Sequence, residues 1–118
     1  MSSESERGRR GERVAERYLI RRGWTILATR WRGAGGELDL IAARGDLVVA
    51  VEVKTRGNAA ALVEPLTVAQ RARIARATEA FVASRADLRE RAVRIDLITV
   101  LPGRVRSRVR HVPGVVGG

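Results

Sequence analysis

Two apolar runs, residues 37–43 and 47–54, are separated only by Arg44-Gly45-Asp46 and carry charge at alternate positions of their outer ends. Runs this short and this rich in Val, Ile, Leu and Ala read as strands, and the Gly-containing connection makes them a hairpin. Side chains of a strand alternate faces with period two. Glu37, Asp39 and Ile41 therefore share one face, and Leu38, Leu40 and Ala42 the other. Ala50, Glu52 and Lys54 likewise oppose Val49, Val51 and Val53. Pairing the strands sets Asp39 beside Glu52, with Lys54 projecting from the same surface.

The rest of the chain arranges itself around this hairpin. Residues 8–22 are helical in pattern, with Val14, Ala15, Tyr18 and Leu19 on one face and Gly23 suited to the end of the helix. Residues 24–31 read as a strand, and Gly33-Ala34-Gly35-Gly36 as a turn. Residues 55–64 read as a loop. Pro65 opens a second helix running to residue 84, with a buried stripe of Val68, Ala72, Ala75 and Val82 flanked by Ile74 and Phe81. Arg73 and Arg76 then face outward. Residues 92–101 form another strand. Residues 104–110 alternate like an edge strand and read as a short basic strand or an arm. The order is αβββαβ, an α/β class with its first three strands a meander. A polar, frayed segment (1–7), one domain (8–101) and a basic strand or tail (102–118) divide the chain.

Charge sharpens the picture. The chain has 118 residues and a net charge of +10, which points to a polyanion, nucleic acid before anionic membrane. Residues 36–64 are the exception, with five acids against three cations. An acidic patch in a basic chain fits a cation held at the centre and phosphate held around it. Twenty-two of the 23 basic residues are arginine, and the one lysine, Lys54, lies in that acidic segment. Lysine offers what arginine does not, a compact ammonium on a flexible stem. There is no cysteine and a single histidine, His111, placed in the tail, which argues against Cys- and His-based zinc sites and Ser-His-Asp chemistry. No apolar run is long enough to span a membrane, and no leader pattern opens the chain, so a cytoplasmic location with no membrane partner is expected.

Two carboxylates and a lysine on one sheet face are the ingredients of a Mg²⁺ site beside a positioned cation, because hard oxygen donors suit Mg²⁺. The same alternation also fits a solvated hairpin face carrying an ordinary surface ion pair. Charge interrupting interior-looking strands, where an unpaired ion is costly, favours the first reading.

Gly-Glu-Leu-Asp-Leu-Ile-Ala (36–42) followed by Val-Ala-Val-Glu-Val-Lys-Thr-Arg (49–56) resembles the YraN-like family of uncharacterised bacterial proteins. The likeness runs from about Gly11 to Val100 and includes Gly11-Glu12, Ala15-Glu16, Tyr18-Leu19 and Gly23 at its start and Arg94-Ile95-Asp96-Leu97-Ile98 at its end. It implies the restriction-endonuclease-like, PD-(D/E)XK nuclease fold, a mixed sheet flanked by helices, similar to archaeal Holliday-junction resolvases. By position, Asp39 matches the motif aspartate, Glu52 the second acidic ligand and Lys54 the motif lysine. Glu12 matches a helix glutamate that assists metal binding, although a first-turn glutamate is also favoured by the helix dipole. Glu37 matches a motif position that binds metal, substrate or arginine. Gln70 stands where such sequences usually carry lysine, and Leu38 where the motif has proline.

The resemblance thus implies a Mg²⁺- or Mn²⁺-dependent endonuclease. Asp39, Glu52 and the Val53 carbonyl hold one metal, Glu12 serves a second site, and Lys54 and Gln70 orient water or phosphate. Arg56, Arg73, Arg76, Arg104, Arg106 and Arg108 follow the DNA backbone without reading bases. With four aromatic residues, base stacking is a poor fit, so branched or junction DNA is the expected substrate class and a homodimer the expected assembly. A non-catalytic DNA-binding module on the same fold and an RNA- or ribosome-associated basic protein are the competing readings.

Overall fold

The protein is described by a computed structural model, which covers residues 4–115. Helix α1 (Glu4–Arg21) leads into strands β1 (Thr25–Gly33), β2 (Gly36–Arg44) and β3 (Leu47–Thr55). A short 3₁₀ turn (Ala59–Val63) precedes helix α2 (Val68–Ala83), and strands β4 (Ala92–Leu101) and β5 (Arg108–Val112) close the chain. The five strands lie in the order β1-β2-β3-β4-β5. All neighbours are antiparallel except β3 and β4, whose parallel pairing is made possible by the α2 crossover. This is a mixed sheet with one helix on each face, as the αβββαβ order implies.

Alternation along the strands feeds two cores. On the α1 face Leu40, Ala42, Val49, Val51, Ile98 and Val100 pack against Ala15 and Leu19. On the α2 face Ile41, Ala43, Val48, Ala50, Ile95 and Leu97 pack against Ile74, Ala77 and Phe81. Each of these residues is more than nine-tenths buried.

Four expectations are corrected. The buried stripe of α2 is Ile74, Ala77, Thr78 and Phe81, whereas Val68 is 73% exposed and Ala72 is also outside the core. Leu38 joins the cluster of Ile41 and Ala43, not that of Leu40 and Ala42, so strict alternation fails across Asp39. Residues 4–7 continue α1 where a frayed end was expected, and residues 1–3 lie outside the described residues. The C-terminal strand is Arg108–Val112, so Arg104 and Arg106 sit in the exposed connection before it. The last three residues of the tail also lie outside the described residues.

Both helices approach the sheet through glycine. A Cβ at Gly11 would collide with the Thr55 hydroxyl, so α1 lies tight against the end of β3. A Cβ at Gly36 would press on the Arg73 carbonyl and the Ala77 side chain, at 3.2 and 3.3 Å, so α2 lies tight against the start of β2. These contacts bring Glu12 and Arg73 to one corner of the sheet.

Candidate functional site: a carboxylate pair where two strands part

The β2–β3 ladder runs from Arg44↔Leu47 to Leu40↔Val51 and stops there. The next residues are Asp39 and Glu52. In place of a further rung, the Val53 N–H donates to Asp39 Oδ2 at 2.8 Å, while β3 remains paired with β4 through Thr55↔Val100. The strands part, and the opening is a cleft of about 200 Å³ lined by Gly36, Glu37, Asp39, Glu52, Gln70 and Arg73.

Asp39 and Glu52 line the same opening and both resist ionisation. Burial is the main cause at each. Asp39 is pushed up to about 6, with the Val53 N–H opposing and the charges of Glu12 and Glu37 adding to the rise. Glu52 is pushed up to about 8 by burial and then by the Asp39 charge, against the pull of Lys54 and Arg73. Two carboxyls so placed retain a proton between them at neutral pH. Their arrangement suits a divalent cation, which would supply the positive charge the pair lacks. Among the described residues, however, no group of three or more His, Cys, Asp or Glu side chains is placed to hold a metal ion.

The other expected residues take distinct positions. Lys54 is 6% exposed, with Nζ 3.5 Å from both the Pro65 carbonyl and Gln70 Oε1 and 3.6 Å from Glu64 Oε1. The stem is buried and the ammonium is held by oxygens from the start of α2 and the loop before it. Gln70 Oε1 accepts from the Thr67 N–H at 2.8 Å while the Thr67 hydroxyl accepts from the Gln70 N–H, a capping box. The Gln70 oxygen thus serves the helix cap and Lys54 together. Arg56 is clamped by Glu64 through Nε (3.3 Å) and Nη2 (3.1 Å). Glu12 is engaged by Arg30, Nε to Oε2 at 2.9 Å, and does not join the pair. A larger cleft of about 650 Å³ nonetheless connects Glu12 with Glu52, Lys54, Arg56 and Gln70. Arg76, Arg104, Arg106 and Arg108 are exposed.

A wholly buried acid was not anticipated as a site. Asp96 on β4 is wholly buried and receives Arg94 through two bonds (2.8 and 3.0 Å), His111 Nε2 (2.7 Å) and the Gly114 N–H (3.0 Å). His111 Nδ1 lies 3.1 Å from the Tyr18 hydroxyl. With a carboxylate accepting at Nε2, that nitrogen carries a proton, and Nδ1 and the Tyr18 hydroxyl are hydrogen-bond partners. Burial pushes Asp96 up, but the His111 and Arg94 bonds outweigh it and leave it at about 2. The constellation fastens α1, β4 and β5 together. Charge next to apolar residues in the run 92–101 was its one sequence signal.

Residues 11–100 match the pattern of the family described as Uncharacterised protein family UPF0102. The chain belongs to UPF0102. A UPF0102 protein of Rhizobium etli is 42% identical over 107 residues, covering 91% of this chain and 85% of the relative. One from Paramagnetospirillum magneticum is 45% identical over 111 residues, covering 91% and 84%. One from a Caulobacter species is 43% identical over 105 residues, covering 89% and 73%. The family-level resemblance read from the hairpin therefore holds, and the UPF0102 match includes Glu12, Asp39, Glu52, Lys54, Gln70 and Asp96 within its span.

Proposed function

We propose that this chain is a metal-dependent endonuclease of the PD-(D/E)XK type, acting on phosphodiester bonds of DNA, with branched or junction DNA as its substrate class. The observation that carries the reading is the Asp39–Glu52 pair: two half-buried carboxyls, both held towards the protonated form, at the point where β2 and β3 part and beside a buried lysine. Structural carboxylates in a sheet are normally satisfied, as Asp96 is. A pair held short of full ionisation is the kind of arrangement found at functional sites.

Asp39, Glu52 and the Val53 carbonyl would hold Mg²⁺ or Mn²⁺, which when bound lowers the pKa of water and neutralises charge developing on the scissile phosphate. Lys54, held by Gln70, Glu64 and the Pro65 carbonyl, positions an ammonium for water or phosphate on the same side. Arg73 flanks the cleft, and exposed Arg76, Arg104, Arg106 and Arg108 supply sequence-independent phosphate contacts. No described helix is long and apolar enough to cross a membrane.

A second reading, a DNA-binding module without catalysis, is favoured by one observation: Glu12, expected to serve a second metal site, is taken by Arg30. Incubation of the full chain with a four-way junction or nicked plasmid, in Mn²⁺, Mg²⁺ or EDTA, separates the two. Cleavage in metal, absent in EDTA and reduced on the order of 100-fold or more in Asp39→Asn and Lys54→Arg, is expected. Salt-sensitive binding with no cleavage in either metal would sink the enzyme reading. Competition by tRNA at fixed salt tests the RNA-associated alternative.

A further inference from the structure

Arg30 combines several features that the proposed chemistry has not used. It lies on β1 between Thr29 and Trp31, which pair with Leu40 and Leu38, so it stands opposite Asp39. Its backbone has φ 51°, a left-handed conformation uncommon outside glycine and found preferentially at functional sites. Its contact with Glu12 is single, Nε to Oε2, unlike the two-pronged contact of Arg94 with Asp96. The pair is partly exposed, 38% at Arg30 and 21% at Glu12.

The surroundings invite an anion. Arg30 lines a cleft of about 310 Å³ with Arg9, Arg32, Glu12 and Glu37, in which Arg32 also leans on Glu37 at 3.5 Å. Glu12 lines this cleft and also the one containing Glu52 and Lys54, so it stands at their junction. A phosphate entering among three arginines competes with Glu12 for the Arg30 fork, since guanidinium matches phosphate as well as carboxylate.

We propose that Arg30 is a phosphate-responsive latch on Glu12. In the free protein it holds the Glu12 carboxylate; a backbone phosphate of the nucleic acid takes Arg30 and releases Glu12 towards Asp39 and Glu52, completing a three-carboxylate set only when substrate is present. Arg30 is thus a positioning residue for Glu12 and a phosphate contact in its own right. The inference rests on the metal-site reading above, and its test keeps the two separable.

The experiment is titration calorimetry of Mn²⁺ into the full-length chain without DNA. Arg30→Gly is the decisive variant, because glycine accepts the left-handed backbone and the fold is retained. It is expected to bind Mn²⁺ on the order of 10-fold more tightly than wild type, and the gain should vanish in the Glu12→Gln, Arg30→Gly double variant. Arg32→Ala, which removes the same charge, should show no comparable gain. If Arg30→Gly binds as wild type does while Asp39→Asn abolishes binding, the latch is overturned and the metal site stands. If Asp39→Asn leaves Mn²⁺ binding unchanged, both fail. A gain that survives in the double variant also overturns the latch.

Reciprocity supplies a metal-free readout. In EDTA, Glu12→Gln frees Arg30 and should tighten binding of a phosphorothioate-protected junction several-fold. Glu90→Gln, which removes an exposed charge beyond α2, should not. Equal gains in the two variants would count against the latch.

Discussion

Two places in this sheet draw acid out of water, wholly at Asp96 and partly at Asp39 and Glu52, and they are opposites. Asp96 has Arg94, His111 and the Gly114 N–H around its two oxygens, and its carboxyl is held at about 2. Asp39 and Glu52 have mainly one another and the Val53 N–H, and burial holds both above the ordinary carboxylate range. The more deeply buried acid is the one with the lowered pKa, so burial does not distinguish a site from a fastener. Satisfaction does. Where the surroundings complete the carboxylate's bonds the acid stabilises the fold, and where they leave it incomplete they leave room for something else.

The contrast is broken most forcefully at Asp96. Asp96→Ala strands the Arg94 guanidinium and His111, and should cost about 3 to 5 kcal/mol by denaturant titration. A loss near zero would mean that the network is ornamental. Glu52→Gln should act in the opposite direction. A carboxyl whose folded pKa is raised favours the proton-bound folded state, so the native state loses stability as pH rises from the ordinary value of 4.5 towards about 8. Neutralising Glu52 removes that loss, raising stability by about 1 to 3 kcal/mol at pH 8 and by much less at pH 4.5. Asp96 has the reverse sign: its contribution is present above about 3.8 and fades as pH falls to about 2. Melting curves at pH 3, 5 and 8 on wild type and both variants resolve the two signs.

Gly11→Ala has a smaller expected effect. It drives a methyl into the Thr55 side chain and should cost about 1 to 2 kcal/mol while displacing Glu12 at the end of β3. Because Tyr18 lies on the same helix, coupling between this variant and His111→Ala in a double-mutant cycle measures how far α1 ties the two regions together. The smallest effect is expected at Glu64. Its own carboxylate is half exposed and the buried Lys54 ammonium keeps the Pro65 and Gln70 oxygens, so Glu64→Gln should leave the denaturation midpoint nearly unmoved even as it loosens the ammonium.

The sequence disclosed one of these regions far better than the other, for a physical reason. Asp39, Glu52 and Lys54 lie on two strands joined by a tight connection, so the hairpin and the alternation of Ile41 with Asp39 and of Ala50 with Glu52 placed them together, although alternation breaks at Leu38. Tyr18, Asp96 and His111 are joined across separations of 15 and 93 residues by the parallel β3–β4 pairing and by β5, neither of which local pattern specifies. A histidine assigned to a tail proved to be strand-borne and bonded at both nitrogens. The phase of α2 was misread because alanines occur all around the helix, leaving two stripes about equally apolar; the sheet contact selected the one containing Ile74 and Phe81. The Glu12–Arg30 pair was hidden because Arg30 reads as one more arginine in a basic chain.

The parallel register also has a consequence for how the protein comes to exist. Leu47 pairs with Ala92, so β3 cannot gain β4 until the intervening helix has been synthesised and packed, whereas β1 to β3 need only short turns. Closing that long loop is the entropically expensive, non-local step of folding. Until it is complete, the third strand of the meander has one bare edge, and the carboxyls at its end face water until α2, which lines their cleft, has packed. The acid pair becomes difficult to ionise only as α2 closes over it, so its titration serves as a clock for the docking of that helix.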